Sequence, residues 1–472
     1  MKKTKIVCTM GPASMEVETI KRMITAGMDL VRLNFSHGSH EELRQTIANV
    51  RLASKETGKP VGILADHQGP KIRIGTLPEP VLLKEGDTVR LVAGEAGAAA
   101  GEGIFVDYPT IAEDVPVGNT IFLADGLIEL RVEKAEAGSL LCRVVRGGEL
   151  TSRKSVTLPG VSVRLPAVTE KDLEDLEFAV EEGVDFLALS FVRRPEHIVE
   201  VRRYLEVKDS HAMIIAKIEN EEGFNNREEI LQVADGIMVA RGDLGIEVPP
   251  EDVPWMQQQL IRGANMAGKP VITATEMLES MVRNPRPTRA EVTDVAHAIL
   301  DGTDALMLSA ETAVGRNPVA AVEIMAKVAE RTESSLDYEE ILGRKRIGSS
   351  RSVSEAISHA TCQTAMDLNA AAIITATQSG STARMVSKFR PKAPIFASTP
   401  SPRVLRQLTL SWGVTPVLVP HTYTTDEMLD VSIEAIVRKG WVKEGDLVII
   451  TAGVRTGLPG STNLLQVNHI GM

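Results

Sequence analysis

Charged side chains recur at the carboxyl ends of short apolar segments in this sequence. Lys217 and Glu219 end the segment MIIAKIE, and Asp243 closely follows the segment GIMVA. One or two carboxylates are what a hard divalent cation such as Mg²⁺ usually takes from a protein, alongside waters and substrate oxygens. Lysine and arginine neutralise phosphate oxygens. This combination predicts chemistry on a phosphoryl group, in which positioning and charge stabilisation do most of the work.

Other polar residues stand at the ends of similar segments. They are Arg32, Asn34, Ser36, Asp66, Arg241, Gly242, Thr275, Ser309 and Glu311. Each alone is more simply explained as a solvated or ion-paired residue of little energetic weight. Their repetition favours one common site. The sequence has no Walker A motif, no protein-kinase HRD or DFG motif and no GxSxG elbow, which excludes those three classes.

The apolar segments themselves indicate the fold, because short runs rich in β-branched residues are typical of strands buried on both faces. They are KIVCT (5–9), LVRLNF (30–35), VGILAD (61–66), DFLALS (185–190), MIIAKIE (213–219), GIMVA (236–240), PVITAT (270–275) and ALMLSAE (305–311). Amphipathic helical patterns separate them. Eight strand–helix units predict an α/β fold with a closed (β/α)8 TIM barrel, whose active site lies at the carboxyl ends of the strands. The alternative is an open doubly wound sheet with an unusually large number of strands.

Two regions depart from this pattern. Between residues 70 and 166 polar and apolar residues alternate with turn signals between them, which predicts an inserted all-β domain. The basic segment GRKRIGSSRSVS is predicted to be a linker, and the strand–helix alternation after it predicts a C-terminal α/β domain. The predicted domains are therefore 1–69 with 167–345 for the barrel, 70–166 for the insertion and 346–472 for the C-terminal domain.

Composition limits the function classes. The 472 residues carry 52 Lys+Arg against 63 Asp+Glu, a net charge of −11, with 43% hydrophobic and 3% aromatic residues. These values are typical of a soluble globular protein, and the acidic balance argues against nucleic-acid and membrane partners. Three cysteines without a CxxC pair fit a reducing cytoplasm. No apolar run reaches the ~18 residues of a transmembrane helix, and the apolar run that follows the basic start is too short for a signal peptide.

Several long motifs resemble the pyruvate kinase family, in the right order over essentially the whole chain. They are MGPAS (10–14), VRLNFSHG (31–38), GPKIR (69–73), AKIENEEG (216–223), MVARGDLGIE (238–247), ATEMLESM (274–281), NPRPTRAEVTDVAHAILDGTDA (284–305) and MLSAETAVG (307–315). The family's architecture is a barrel, a β-rich lid after the third strand and a C-terminal α/β domain. The resemblance implies the reaction of phosphoenolpyruvate with ADP to give pyruvate and ATP.

The resemblance also implies residue roles. Lys217 corresponds to the lysine that stabilises the transferring phosphoryl group. Thr275 corresponds to the proton relay that ketonises enolpyruvate, with Glu311 as its supporting acid group. The remaining implied contacts are the Mg²⁺ ligands Glu219 and Asp243, with Mn²⁺ as a substitute ion, the phosphate-contacting Arg32 and Arg73, the substrate site at Gly242, Asp243 and Thr275, and the nucleotide side at Asn34, His37, Arg73 and Lys154. Because Lys154 lies in the insertion, the insertion is expected to be a β-barrel lid that closes and excludes water.

One departure from the family concerns its monovalent cation. Many members need K⁺ and carry Glu where this chain has Lys71 in GPKIR. A lysine ammonium supplies the charge that K⁺ would supply, so the sequence predicts that K⁺ is not required. The remnant monovalent site, at Asn34, Ser36, Asp66 and His67, is expected to be empty or weakly occupied. The alternative is that Lys71 is an ordinary exposed lysine.

The C-terminal domain carries a candidate phosphate loop, TQSGST, which contributes Thr377, Ser379, Gly380, Ser381 and Thr382. Small hydroxyl residues and glycine at a helix start form phosphate nests, and a second loop, TAGVRTGLPGST (451–462), is predicted to close over the same site. The family binds phosphorylated effectors there, so we expect a sugar phosphate or nucleoside monophosphate activator. The alternative is a tight turn with a capping serine. The resemblance further implies a homotetramer.

Two other function classes compete with this interpretation. A Mg²⁺-dependent barrel aldolase or lyase acting on pyruvate would share Glu219, Asp243 and an arginine, but would not need Lys154 or Thr275. It would also not bind nucleotide. A non-catalytic sensor would keep only the effector domain, and the intact set of Lys217, Glu219, Asp243 and Thr275 argues against it.

Overall fold

The computed structural model describes residues 2–94, 103–346, 352–453 and 462–471. The chain begins with alternating strands and helices: β1 Lys5–Thr9, α1 Val17–Ala26, β2 Leu30–Asn34, α2 His40–Thr57 and β3 Gly62–Asp66. Every residue of β1 and β3 is buried, as expected for strands covered on both faces. Helix α2 begins at a capping box in which Ser39 and Glu42 satisfy each other's backbone N–H groups.

A β-rich insertion follows β3. Its elements are β4 Val81–Leu83, β5 Thr88–Ala93, β6 Ile104–Val106, α3 Ile111–Asp114, β7 Thr120–Leu123, β8 Ile128–Glu136, β9 Ser139–Arg146, β10 Gly148–Leu150 and β11 Val156–Thr157. Six strands form a sheet in the order β11-β7-β8-β9-β5-β6, and β10 pairs with β4. The segment KIRIG (71–75) makes single bridges at Arg73 and Ile74, because it is the connection that leaves the barrel.

The chain then returns to the barrel. The elements are α4 Glu170–Glu181, β12 Phe186–Leu189, α5 Pro195–Val207, β13 Met213–Ile218, α6 Glu221–Asn225, α7 Arg227–Val233, β14 Gly236–Ala240, α8 Arg241–Glu247, α9 Val253–Ala267, β15 Val271–Ala274, α10 Arg289–Asp301, β16 Ala305–Leu308, α11 Ala310–Ala313, α12 Pro318–Glu333 and α13 Tyr338–Arg346. Eight parallel strands close in the order β1-β16-β15-β14-β13-β12-β3-β2. The predicted TIM barrel is confirmed, and the open sheet is not formed.

The barrel interior is filled by apolar side chains that include Val7, Leu64, Ile215, Met238 and Ile272. A second apolar layer, between the strands and the surrounding helices, is larger. Because all eight strands are parallel, their carboxyl ends meet at one rim. The charged residues predicted to share a site are therefore brought to the same end of the barrel.

A C-terminal α/β domain completes the fold. Its elements are α14 Val353–Asp367, β17 Ala372–Ala376, α15 Ser381–Lys388, β18 Ile395–Thr399, α16 Pro402–Gln407, β19 Val414–Leu418, α17 Thr425–Arg438, β20 Leu447–Ala452 and β21 Leu464–His469. The sheet order is β19-β18-β17-β20-β21, with β21 antiparallel to β20. The sequence did not indicate β21, because this edge strand is only partly buried and lacks the continuous apolar run of its neighbours.

The connection to this domain differs from the predicted linker. Helix α13 continues through residues 343–346 of GRKRIGSSRSVS, and residues 347–351 lie outside the described part of the chain. Ion pairs join the two domains: Arg406 Nε lies 2.7 Å from Asp185 Oδ1, and Arg390 lies 3.0 Å from Asp304. Within the described residues, every helix is too short or too polar to cross a membrane.

Candidate active site

Lys217 is the centre of a buried charge cluster at the rim. It is the second-last residue of strand β13 and is only 8% exposed. Its Nζ lies 3.1 Å from Asp66 Oδ1 and 3.0 Å from Glu219 Oε1, and it donates a 2.6 Å hydrogen bond to Ser190 Oγ. Strands β3, β12 and β13 are neighbours in the barrel, so their ends bring these groups together.

The cluster holds Lys217 in its charged form. Burial alone would lower the pKa of Lys217, but the charges of Asp66 and Glu219 outweigh burial and raise this pKa above its ordinary value. Burial likewise disfavours ionised Asp66, yet Lys217 and Arg32 hold the pKa of Asp66 below its ordinary value. Lys217 is therefore an ammonium throughout the physiological range, enclosed where its charge is poorly screened.

Glu219 and Asp243 form a second feature of the rim. Glu219 is completely buried, and its Oε2 accepts a 2.6 Å hydrogen bond from the backbone N–H of Phe191. Burial raises the pKa of Glu219 to about 6, and the charge of Asp243 adds to this effect while Lys217 opposes it. Asp243 stands in the first turn of α8 and is partly exposed.

This pair fits a divalent cation. Glu219 Oε1 is buried beside the Lys217 ammonium, 3.0 Å away. Burial raises the pKa of Glu219 and the Asp243 charge adds to it, and a bound cation would offset both effects. Two carboxylates and a nearby open cleft match the preference of Mg²⁺ for few protein oxygens. Glu247 lies beside Asp243, and burial together with the Asp243 charge raises its pKa to about 7, so Glu247 adds its full negative charge to this region only above that pH.

Protons are expected to compete with the cation at Glu219. The carboxylate must be ionised to bind a metal, so affinity should be constant well above the pKa of about 6 and fall as pH drops through it. In the metal-free protein, Mn²⁺ affinity should fall roughly tenfold per pH unit below that pKa. Electron paramagnetic resonance of free Mn²⁺ measures this. Glu247→Gln is the control, and the profile should persist in it; a flat profile between pH 5 and 8 in the wild-type protein would contradict this assignment.

Thr275 adopts a backbone conformation that a β-branched residue rarely takes. Its φ is +67°, in the left-handed region where strain is stored at functional sites. Arg241 holds the turn, because its guanidinium donates to Thr275 O at 2.6 Å and bonds Asp294 at 2.7 Å. The Thr275 hydroxyl accepts a 2.8 Å hydrogen bond from Gly242 N–H and donates to Ala274 O at 2.6 Å. The hydroxyl is therefore fixed next to Gly242, the residue before the carboxylate Asp243.

Arg241 is a positioning residue that the sequence interpretation left without a role. The signal was present, since an arginine directly precedes the Gly242-Asp243 pair. Glu311, predicted as an acid group supporting Thr275, accepts the backbone N–H groups of Leu278 at 3.0 Å and Ser309 at 2.7 Å. Glu311 thus ties together the loops that follow β15 and β16.

Arg32 and its neighbours form the far side of the rim. Arg32 Nε donates to Asp66 Oδ2 at 2.6 Å, and its Nη1 donates to Thr9 Oγ1 at 3.1 Å. Asn34 is partly exposed and accepts the backbone N–H of Ser36 at 3.1 Å. His37 and Ser36 are exposed. Arg32 therefore belongs to the same cluster as Lys217 through Asp66, whereas His37 stands outside that cluster on the surface.

Lys71 lies between the insertion and the barrel. Its Nζ is 3.2 Å from Asp243 Oδ1 and 3.5 Å from Asp125 Oδ1. Its ammonium therefore bonds a predicted metal ligand rather than Asp66 of the predicted monovalent site, and Asp66 takes its cations from Arg32 and Lys217. A cleft of about 300 Å³ runs along this junction, between residues 156–165 of the insertion and residues 220–226 of the barrel.

The predicted nucleotide contacts on the insertion face solvent. Arg73 donates to Arg153 O at 3.1 Å, and its backbone N–H donates to Asp107. Lys154 is exposed. Both residues belong to the insertion, and neither lines the cleft.

The predicted phosphate loop is a tight turn before helix α15. Gly380 has a φ of +82°, and its N–H donates to Thr377 Oγ1 at 2.9 Å. Thr382 shares a 2.8 Å hydroxyl contact with Thr462, and Arg384 donates to Ser379 O at 2.9 Å. Ser381 begins the helix. Most of the second loop, residues 454–461, lies outside the described part of the chain.

Comparison with known proteins agrees with this architecture. Residues 1–322 match the family model described as pyruvate kinase, barrel domain, and residues 355–468 match pyruvate kinase, alpha/beta domain. The chain is 52% identical to the pyruvate kinase of Geobacillus stearothermophilus, an alignment that covers 99% of this chain and 80% of the relative. The pyruvate kinases of Staphylococcus epidermidis and Staphylococcus aureus are 47% and 48% identical over 100% of this chain and 81% of their own lengths.

Proposed function

The chain belongs to the pyruvate kinase family of phosphotransferases, and from that premise we propose that its rim transfers the phosphoryl group of phosphoenolpyruvate to ADP. The products are pyruvate and ATP. The observation that carries the proposal is the enclosed Lys217 ammonium, held 3.0 Å from Glu219 beside a cation-binding carboxylate pair. We further propose the division into a barrel (1–69 and 167–345), a lid (70–166) and a C-terminal effector domain (346–472).

Lys217 provides positive charge where the transferring phosphoryl oxygens accumulate negative charge. Because its pKa is raised, it arrives already charged and does not titrate during turnover. Arg32, aligned by Asp66 at 2.6 Å, presents its guanidinium to the same phosphate. Mg²⁺, or Mn²⁺ in its place, would be held by Glu219 and Asp243 and would add Lewis-acid stabilisation of the oxygens. Preorganised charges of this kind supply the largest share of such a rate enhancement.

The enolpyruvate left by phosphoryl transfer must gain a proton on carbon. The Thr275 hydroxyl relays that proton, and its fixed place in the turn keeps it aimed at the substrate. Arg241 and Glu311 act through Thr275 and its loop rather than on substrate. Gly242 leaves room for the substrate carboxylate and enol oxygen, since its missing side chain would otherwise point toward Thr275 Oγ1, 3.5 Å away.

ADP is proposed to lie between the rim and the lid, contacted by Asn34, His37, Arg73 and Lys154. Lys71, on the lid side of the cleft, lies 3.2 Å from Asp243 Oδ1. Closure of the lid would bring Lys154 toward the nucleotide and remove water from the reacting phosphate.

The reaction is tested by measuring pyruvate release while phosphoenolpyruvate, ADP and Mg²⁺ are omitted in turn. Pyruvate should form only when all three are present. A barrel lyase would release pyruvate without nucleotide. A sensor would release none under any combination, even after a sugar phosphate or nucleoside monophosphate is added.

Lys71 is proposed to make K⁺ unnecessary. Its ammonium lies 3.2 Å from Asp243, where it contributes a fixed positive charge to the phosphate-binding region. The activity should be equal with and without K⁺ in buffer free of Na⁺ and NH₄⁺. Lys71→Glu should lower activity by roughly 10²-fold, the effect expected for one electrostatic stabiliser, and K⁺ should restore part of the loss. Activity of the wild-type enzyme only with K⁺ would overturn the proposal.

The TQSGST loop is proposed to bind the phosphate of a sugar phosphate or nucleoside monophosphate that activates a homotetramer. Its support is the preformed turn at Gly380 and the helix start at Ser381. Ser379→Asp places a negative charge at this turn and should abolish stimulation by ribose 5-phosphate or AMP, measured as the shift in half-saturating phosphoenolpyruvate. Ser379→Asn, which is uncharged, is the control. Undiminished stimulation in Ser379→Asp would place the effector elsewhere.

A further inference from the structure

A buried histidine and two buried aspartates meet outside the catalytic cluster. His67 directly follows strand β3, while Asp172 and Asp175 lie one turn apart on helix α4. The three residues are 3%, 2% and 1% exposed. One nitrogen of His67 and one oxygen of each aspartate all lie within 4.8 Å of one another.

The imidazole of His67 is unsatisfied. Both ring nitrogens are buried and find no hydrogen-bond partner among the described residues. A neutral imidazole carries one N–H donor and one acceptor lone pair, and buried polar groups are almost always paired. The edge of the Phe35 ring, with centroids 5.2 Å apart, packs against it and offers no polar atom. A further atom is needed to complete this environment.

Both aspartates keep lone pairs for such an atom. Among the described residues, Asp172 Oδ1 accepts one hydrogen bond, from the backbone N–H of Gly69 at 3.0 Å, while its Oδ2 serves the capping box with Thr169. Asp175 accepts His40 Nε2 at 2.7 Å on Oδ1 and Lys171 Nζ at 2.7 Å on Oδ2. Each carboxylate oxygen has about two acceptor positions, so one oxygen of Asp172 and both of Asp175 have a position free.

We propose that His67, Asp172 and Asp175 bind a divalent transition-metal ion, with Zn²⁺ as the best-matched ion. The imidazole selects against Mg²⁺ and Ca²⁺, which take oxygen ligands, whereas nitrogen with carboxylate oxygen suits Zn²⁺. Zn–N and Zn–O bonds of ~2.0–2.2 Å allow one ion to contact ligand atoms that are too far apart to hydrogen-bond one another. His40 and Lys171 then orient Asp175 from its other side.

This site is distinct from the predicted monovalent site, although His67 belongs to both sets of residues. The carbonyl of His67 accepts a 2.6 Å hydrogen bond from Ser190 Oγ, which in turn receives Lys217. A nitrogen of its ring instead lies within 4.8 Å of the oxygens of Asp172 and Asp175 on helix α4. The catalytic cluster and the proposed metal site thus use different atoms of neighbouring residues.

The location gives the ion a structural consequence. Asp172 bonds the backbone of Gly69, where the chain leaves for the insertion, and of Thr169, where it has just returned. An ion held by Asp172 and His67 would therefore fix both connections of the insertion to the barrel. Binding should slow amide hydrogen exchange in residues 67–73 and 165–172.

The test uses Asp243→Asn protein that a chelator has freed of metal. This substitution prevents the carboxylate pair Glu219 and Asp243 from contributing a second cation site. Co²⁺ is titrated and followed by visible ligand-field absorption, and Zn²⁺ uptake is measured by equilibrium dialysis. We expect one ion per chain, with affinity at least 100-fold weaker after His67→Leu or Asp175→Asn. His297→Leu is the matched control, because His297 faces Asp301 at 3.9 Å on the surface, and uptake should be unchanged.

Hydrogen exchange of the same proteins separates binding from misfolding. Exchange in the barrel strands should be alike in all variants, while slowing of residues 67–73 on Zn²⁺ addition should occur only where His67 and Asp175 are intact. Failure of the parent protein to take up Co²⁺ or Zn²⁺ would overturn the proposal and assign the space to a buried water. Uptake that survives both substitutions would equally overturn it.

Discussion

Lys217→Met is expected to lower kcat by at least ~10³-fold at saturating substrates, because it removes the charge that meets the developing phosphoryl oxygens. The same change leaves Asp66 and Glu219 buried together without their shared cation. Breaking a buried pair in this way costs ~3–5 kcal/mol of folding stability. Steady-state kinetics and urea unfolding at pH 7.5 measure the two effects separately.

The two effects of this substitution can be separated by a second change. The double variant Lys217→Met with Asp66→Asn also removes one of the two carboxylates that lose Lys217 as a partner. Its folding stability should therefore recover in part relative to Lys217→Met, while kcat should not. Lys208→Met is the control, since Lys208 forms an exposed pair with Glu177 at 2.6 Å and neither property should change. A kcat for Lys217→Met within tenfold of the wild-type value would remove Lys217 from the mechanism.

Glu219→Gln is expected to weaken Mn²⁺ binding by ~100-fold or more and to lower kcat by ~10²–10³-fold, because one of two charged cation ligands is lost. Folding stability should respond differently. The folded-state pKa of Glu219, about 6, lies above its ordinary 4.5, so the stability linked to this group is present at low pH and lost as pH rises through 6. At pH 8 the metal-free variant should therefore be at least as stable as the wild-type protein.

The control for this prediction is Glu222, a carboxylate three residues further along the chain. Glu222 lies in the wall of the cleft but is already paired with Arg194 at 2.5 Å, and Glu222→Gln should leave Mn²⁺ affinity unchanged. Spectroscopic titration with Mn²⁺ gives affinity, and unfolding in the presence of a chelator gives stability. Wild-type Mn²⁺ affinity in Glu219→Gln would mean that the divalent cation binds elsewhere.

The barrel and its rim could be predicted from sequence because the relevant signals are local. Each buried strand is a continuous apolar run, and the residue at its end needs no long-range information to be placed at the rim. Lys217, Glu219 and Asp66 meet for this reason alone. The capping box at Thr169 and Asp172 could likewise be predicted, because its two residues lie within four consecutive positions of the sequence.

Other features depend on how separate parts of the chain pack, and local patterns do not encode them. The contact of Lys71 with Asp243 depends on how the insertion sits over the barrel. The meeting of His67 with Asp172 joins positions separated by the whole insertion, and in sequence Asp172 was already explained as a capping residue. The role of Arg241 depends on the left-handed turn at Thr275, and a threonine in the sequence does not predict that conformation.

The proposed reaction moves the phosphoryl group of phosphoenolpyruvate directly to ADP. Phosphorus NMR of phosphoenolpyruvate, ADP and Mg²⁺ with stoichiometric protein follows this transfer. We expect the phosphoenolpyruvate signal to be replaced by the γ-phosphate of ATP, with one pyruvate formed per ATP and neither formed with Lys217→Met. Pyruvate accompanied by inorganic phosphate, with no γ-phosphate signal, would contradict it.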